Sequence, residues 1–106
     1  MSTGTSWQHD VVTEGGSTCI LLSGELDLEA VEQLRDLLRT STQASTEVLA
    51  DLAAVSFIDS TVIGLFIETR HATATSGRSF AIQNPSPPVR RVFDVMGIFE
   101  FLAERG

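Results

Sequence analysis

Glu47-Val48-Leu49-Ala50-Asp51-Leu52, continuing through Ala53-Ala54-Val55-Ser56 into Phe57-Ile58-Asp59-Ser60-Thr61-Val62-Ile63-Gly64, decides the fold. The first six residues are almost continuously apolar and too short for a buried helix, which predicts a central strand. After Asp59-Ser60-Thr61 the period changes. Ile63, Phe66, Ile67, Arg70 and Ala74 recur at helical spacing, and Ser76-Gly77 supplies the stop. A strand therefore runs directly into an amphipathic helix.

The same order stands upstream. Thr18-Cys19-Ile20-Leu21-Leu22 reads as a mostly buried strand closed by Gly24. Leu26, Ala30, Leu34, Leu37 and Leu38 then line one helix face to about Arg39, with Asp27 as N-cap and Glu29 adding favourable charge in the first turn. Thr40 to Thr46 reads as a polar loop. A strand that returns after a helix implies parallel pairing through a right-handed crossover. Before it, Val11-Val12-Thr13 and the Glu14-Gly15-Gly16-Ser17 turn predict a hairpin. Downstream, Ser79-Phe80-Ala81-Ile82 is a short strand and Asn84-Pro85-Ser86-Pro87-Pro88 a stiff turn. Prolines are tolerated in a first helical turn, and Val89, Val92, Phe93 and Met96 form the stripe of a third helix ending at Gly97. Ile98 to Leu102 is expected as a last short strand or packed tail. The pattern is an α/β domain.

A chain of 106 residues, 42% hydrophobic, holds one core. The expected organisation is a polar, flexible leader over residues 1–8 and a single domain over 9–104. No apolar run approaches the roughly 18 residues of a membrane span. The start MSTGTSWQHD lacks the pattern of a signal peptide. Cytoplasmic residence without membrane insertion is the expectation. The formal charge is -7, and all seven basic residues are arginine. Glu25, Asp27, Glu29, Glu32 and Asp36 crowd together, a face that repels phosphate backbones and argues against direct nucleic-acid binding. It suits a basic protein partner, and equally a solvated helix face. Cys19, the only cysteine, reads as core filler.

Asp59-Ser60-Thr61 carries the chemistry. A carboxylate and hydroxyls at a helix start serve to cap free N–H groups. An exposed hydroxyl there can also accept a phosphate, which the helix dipole tolerates. Both readings fit together. Hydrolytic catalysis does not, since a nucleophile needs a base within reach. His9 lies in the polar leader and His71 ten residues along the same helix, about 15 Å from Thr61. No catalytic residue is assigned. One cysteine and two distant histidines make no metal site, and Gly15-Gly16 is no phosphate-binding loop. Arg90-Arg91 reads as a solvated helix face, and Phe66, Phe80, Phe93, Phe99 and Phe101 as core.

The order of elements and the wording of four stretches resemble the stand-alone STAS domains, the anti-sigma factor antagonists of bacteria. Leu22-Ser23-Gly24-Glu25-Leu26-Asp27 is similar to that family's Gly-Glu-Leu-Asp signature. Val48 to Ser56 is similar to its central strand, and Phe57-Ile58-Asp59-Ser60-Thr61 to its Asp-Ser-Ser/Thr phosphorylation loop. Val89 to Ile98 is similar to its closing helix. The likeness spans roughly residues 11 to 102. Val62 departs from it, standing where a small residue is usual.

The resemblance implies a STAS-like mixed sheet of four to five strands with helices packed mainly on one face. It implies an anti-sigma factor antagonist that is not itself an enzyme and needs no cofactor or metal. The unphosphorylated protein would bind an anti-sigma factor with serine/threonine kinase activity and so release a sigma factor, in stress response or sporulation. Phosphorylation at Thr61, with Ser60 as second choice, would switch it off, and a phosphatase would reverse this. Gly24, Glu25, Asp27, Asp59, Ser60, Thr61 and Val62 are the implied partner-binding residues, on a chain expected to be monomeric when unbound. A second reading, on the same fold, is a constitutive structural subunit of a larger assembly such as a lipid-transport complex.

Overall fold

The computed structural model describes residues 6–104. Four strands, β1 (Trp7–Glu14), β2 (Ser17–Leu26), β3 (Glu47–Ile58) and β4 (Ser79–Gln83), form one sheet in the order β1-β2-β3-β4. The first pair is antiparallel and the other two are parallel, so the sheet is mixed. A 3-10 turn (Leu28–Ala30) leads from β2 into α1 (Val31–Ala44), and α2 (Ser60–Thr75) follows β3. After β4 come α3 (Pro87–Met96) and a short α4 (Phe99–Ala103).

Alternation within the strands explains the layering. Ile20 and Leu22 of β2 and Val48, Ala50 and Leu52 of β3 are buried, whereas Cys19, Leu49 and Asp51 between them are only half-buried. Period-two alternation sends these sets to opposite faces of the sheet. The buried set joins Leu34 and Leu38 of α1, Ile63 and Phe66 of α2 and Phe93 of α3 in one core.

Four local expectations change. The strand expected around Val11 begins at Trp7, which is buried opposite Gly24. Residues 1–5 of the expected leader lie outside the described residues. Helix α1 runs to Ala44 rather than Arg39, because Ser41 is buried in it and Arg78 Nη1 donates to the carbonyls of Thr42, Gln43 and Ser45 at its end. Polar composition hid those contacts. The tail after Gly97 is a helix, not a strand. Gly97, at φ 69°, lets Ile98 N–H reach Phe93 O at 3.0 Å, and the chain resumes helical bonding at once. That turn of helix buries Leu102 and leaves Phe101 exposed, so the core reading holds for Phe66, Phe80 and Phe93, and in part for Phe99, which packs half-buried against the core, but not for Phe101.

Asp51 fastens the far side of the sheet. Its carboxylate accepts from Ala53 N–H (3.0 Å), Gln83 Nε2 (3.0 Å) and Asn84 Nδ2 (2.9 Å), holding Asn84 at φ 51°. Burial pushes its pKa up, but the three hydrogen bonds together outweigh that and leave it below the usual value. The folded chain therefore binds this proton more weakly than the unfolded chain. The stabilisation is present above the ordinary carboxylate pKa and fades as pH falls through the lower folded value. Asp51→Asn is expected to lower the melting temperature at neutral pH, with the gap to wild type closing in acid. Melting curves from pH 7 to pH 2.5 test this, and a gap independent of pH would contradict it. The same carboxylate, after burial itself, raises the Cys19 thiol pKa and keeps that group protonated.

Candidate partner-binding site

The site is built where β2 ends and α2 begins. At Gly24 the backbone adopts φ 92°, and an added Cβ would stand 2.1 Å from Ser6 O and 2.9 Å from Trp7 Cα. Only glycine lets β1 approach so closely. Register shifts at Leu21/Ser23 and Gly24/Glu25 bend the strand at this point. Ser56 Oγ donates to Gly24 O at 3.4 Å, and Asp59 N–H donates to Leu26 O at 2.8 Å. The two strand ends are thereby tied to the loop that opens α2.

Asp59 caps that helix. It is extended (φ -82°, ψ 152°), its carbonyl accepts from Val62 and Ile63 N–H, and its Oδ2 accepts from Thr61 N–H at 2.9 Å. The same oxygen also accepts the Thr61 hydroxyl at 2.5 Å. The side-chain bond first, and the backbone bond second, hold the Asp59 pKa below its ordinary value, so the group is a carboxylate at neutral pH. Asp27 plays the corresponding part before α1, accepting from Glu29 N–H at 3.0 Å.

Ser60 and Thr61 are both exposed, as is Glu25 on the adjoining strand end, while Asp27 and Asp59 are half-buried. The structure thus brings Asp59, Ser60 and Thr61 together and ties them to β2 near Gly24 and Glu25. Val62 is different. It is fully buried in the core cluster, so its side chain is not part of a contact surface, and its branched bulk points inward rather than at Thr61. Gly24 is at the site for a backbone reason and has no side chain to offer.

Two residues were not singled out from sequence. Phe57, the register partner of Glu25, is 49% exposed, and Leu28, just after Asp27, is 63% exposed. The signal was the broken alternation of β3: Val55 and Ile58 are buried three residues apart, which turns the intervening Phe57 outward.

His9 packs on Trp7 and His71 on Phe101, while the Thr61 hydroxyl is engaged by Asp59. Among the described residues no three His, Cys, Asp or Glu groups gather as metal ligands.

The family model for the STAS domain matches residues 8–105. The chain belongs to the STAS domain family. Curated relatives include the anti-sigma F factor antagonist of Lysinibacillus sphaericus, 36% identical over 95 residues, spanning 87% of this chain and 80% of the relative. The anti-sigma-B factor antagonist of Staphylococcus epidermidis is 33% identical over 84 residues, 78% of each chain. Among solved structures, this STAS domain is similar to the anti-sigma factor antagonist SpoIIAA in its unphosphorylated form and to the Bacillus cell fate determinant SpoIIAA in its phosphorylated form. The unphosphorylated form superposes with TM-score 0.76 at 31% identity, covering 88% of this chain and 84% of that one. The phosphorylated form gives TM-score 0.69 at 31% identity, covering 92% and 88%.

Proposed function

We propose that this STAS domain is an anti-sigma factor antagonist, a binding protein rather than an enzyme, whose partner contact is switched off by phosphorylation of Thr61. The observation that carries the reading is the Thr61 hydroxyl, exposed in the first turn of α2 and oriented by Asp59, whose N–H is bonded to the end of the strand that displays Glu25 opposite Phe57. The partner is an anti-sigma factor with serine/threonine kinase activity, and its capture in the cytoplasm frees a sigma factor. Ser60 is exposed as well, but Thr61 is the hydroxyl held by the carboxylate. A phosphatase restores the active form.

The electrostatic logic is simple. A phosphate adds about -1.5 to -2 charges, beside a carboxylate already ionised. It also removes the hydroxyl donor. A partner surface fitted to the neutral hydroxyl must then desolvate a dianion or lose contact.

The test is to incubate the chain with the cognate anti-sigma factor and Mg-ATP and to follow intact mass. Wild type is expected to gain one phosphate and Thr61→Ala none. Phosphate on Ser60 in wild type moves the switch by one residue. Nucleotide-independent capture of membrane-transport subunits with no added mass overturns the reading in favour of a constitutive subunit. Phe57→Ala is expected to weaken the unphosphorylated complex about tenfold or more, as truncation of a central aromatic anchor does. Titration calorimetry reads this directly; unchanged affinity would remove Phe57 from the interface.

A further inference from the structure

Arg70 and Arg78 are placed differently from the arginines that carry ion pairs. Arg35 pairs with Glu68 and Glu32, Arg39 with Asp36 and Arg90 with Asp94. Arg70 and Arg78 have no carboxylate at ion-pair distance among the described residues. Each is held instead through one nitrogen by main-chain carbonyls. Arg70 Nη1 donates to Phe80 O at 3.2 Å and to the Glu104 carbonyl. Arg78 Nη1 donates to Thr42 O, Gln43 O and Ser45 O at 2.8, 3.3 and 3.0 Å. Carbonyl dipoles orient a guanidinium without neutralising it, and among the described residues Nε and Nη2 of both groups have no hydrogen-bond acceptor.

Both side chains line one cavity of about 200 Å³ between α2, β4 and α4, together with His71, Ser79 and Phe101, and no Asp or Glu lines it. The Phe101 ring lies 4.9 Å from the Arg70 guanidinium carbon and 5.6 Å from the His71 ring. It shields one side of the charge from water. In a chain of net charge -7, two oriented cations, an imidazole and a hydroxyl-bearing residue surround a cavity lined by no carboxylate among the described residues. We propose that this cavity binds a phosphoryl oxyanion, recognised by the free edges of Arg70 and Arg78. The cavity lies nine residues along α2 from Thr61, about 14 Å at the usual helical rise. Its occupancy is therefore separate from the partner-binding loop and does not depend on the function proposed there.

The probe is inorganic phosphate, titrated into the isotope-labelled protein at ionic strength held constant with potassium chloride. Saturable shifts are expected at the Arg70 and Arg78 Nε–H resonances and at the amides of Ser79 and Phe101, with a melting temperature that rises with phosphate. Arg70→Gln is expected to weaken binding about tenfold or more. Because Arg70 also ties α4 to the sheet, Ser79→Ala serves as the second variant, leaves those carbonyl contacts intact and is expected to weaken binding several-fold. Shifts that are linear and the same with chloride, or saturation unchanged in both variants, would overturn the site. Saturation by acetate but not by phosphate would overturn the phosphoryl assignment.

Discussion

Gly24→Ala is expected to lower the unfolding free energy by about 2–4 kcal/mol, the range of substitutions that break a special backbone position. Two costs add. An alanine at φ 92° is strained on its own account, and its Cβ would meet the Ser6 carbonyl oxygen at 2.1 Å. Backbone, unlike the end of a long side chain, cannot swing aside. Relief requires β1 to move away from β2, which would lose the Glu25 N–H to Ser6 O bond of 2.9 Å and uncover Trp7. Chemical denaturation with amide exchange tests both parts. The midpoint should fall, and the amides pairing β1 to β2 should lose protection more than those of β3 and β4. Glycine is therefore required here for the approach of two strands, upstream of anything a partner reads. A destabilisation under about 0.5 kcal/mol would show that the strand edge yields freely.

Phosphorylation of Thr61 is expected to weaken the complex with the anti-sigma factor about 100-fold, equivalent to roughly 2.7 kcal/mol. The Thr61 hydroxyl now donates to Asp59, and the Asp59 cap accepts from Thr61 N–H with the same oxygen. A dianion in place of that hydroxyl faces the carboxylate with no hydrogen to share. Thr61→Glu should reproduce only part of the loss, about tenfold, because one carboxylate carries less charge and fewer acceptors than a phosphate. Thr61→Ala should bind about as well as wild type and melt within about 1 kcal/mol of it, since the main-chain bond to Asp59 survives. Equal affinity of the phosphorylated and unmodified forms would refute the switch while leaving the fold assignment untouched.

The element order was legible because the apolar pattern is strong where strands and helices are buried on one side. Leu34 and Leu38, or Val48, Ala50 and Leu52, announce their period directly. Asp27 was legible as a cap from its place before a helical stripe, whereas the second cap lay between Asp59 and Ser60 until the geometry showed Asp59 accepting from Thr61 N–H. Three features were not. The last turns of α1 are polar and exist through the distant Arg78. The helix after Gly97 is a five-residue piece, too short for a period to show. The exposure of Phe57 depends on how β3 leaves the regular alternation, a tertiary property that a row of apolar letters does not record. Val62 illustrates the converse: next to an exposed hydroxyl in sequence, it faces the opposite way because one helical step turns it into the core.

The spatial order of the strands is also their order along the chain. Ser17 pairs with Glu47 and Glu47 with Ser79, so every strand finds its partner in the segment made just before it. No ladder waits for the two ends of the polypeptide to meet. Each parallel ladder closes over one strand–helix unit rather than across the whole chain, so the sheet can be assembled unit by unit from the hairpin outward.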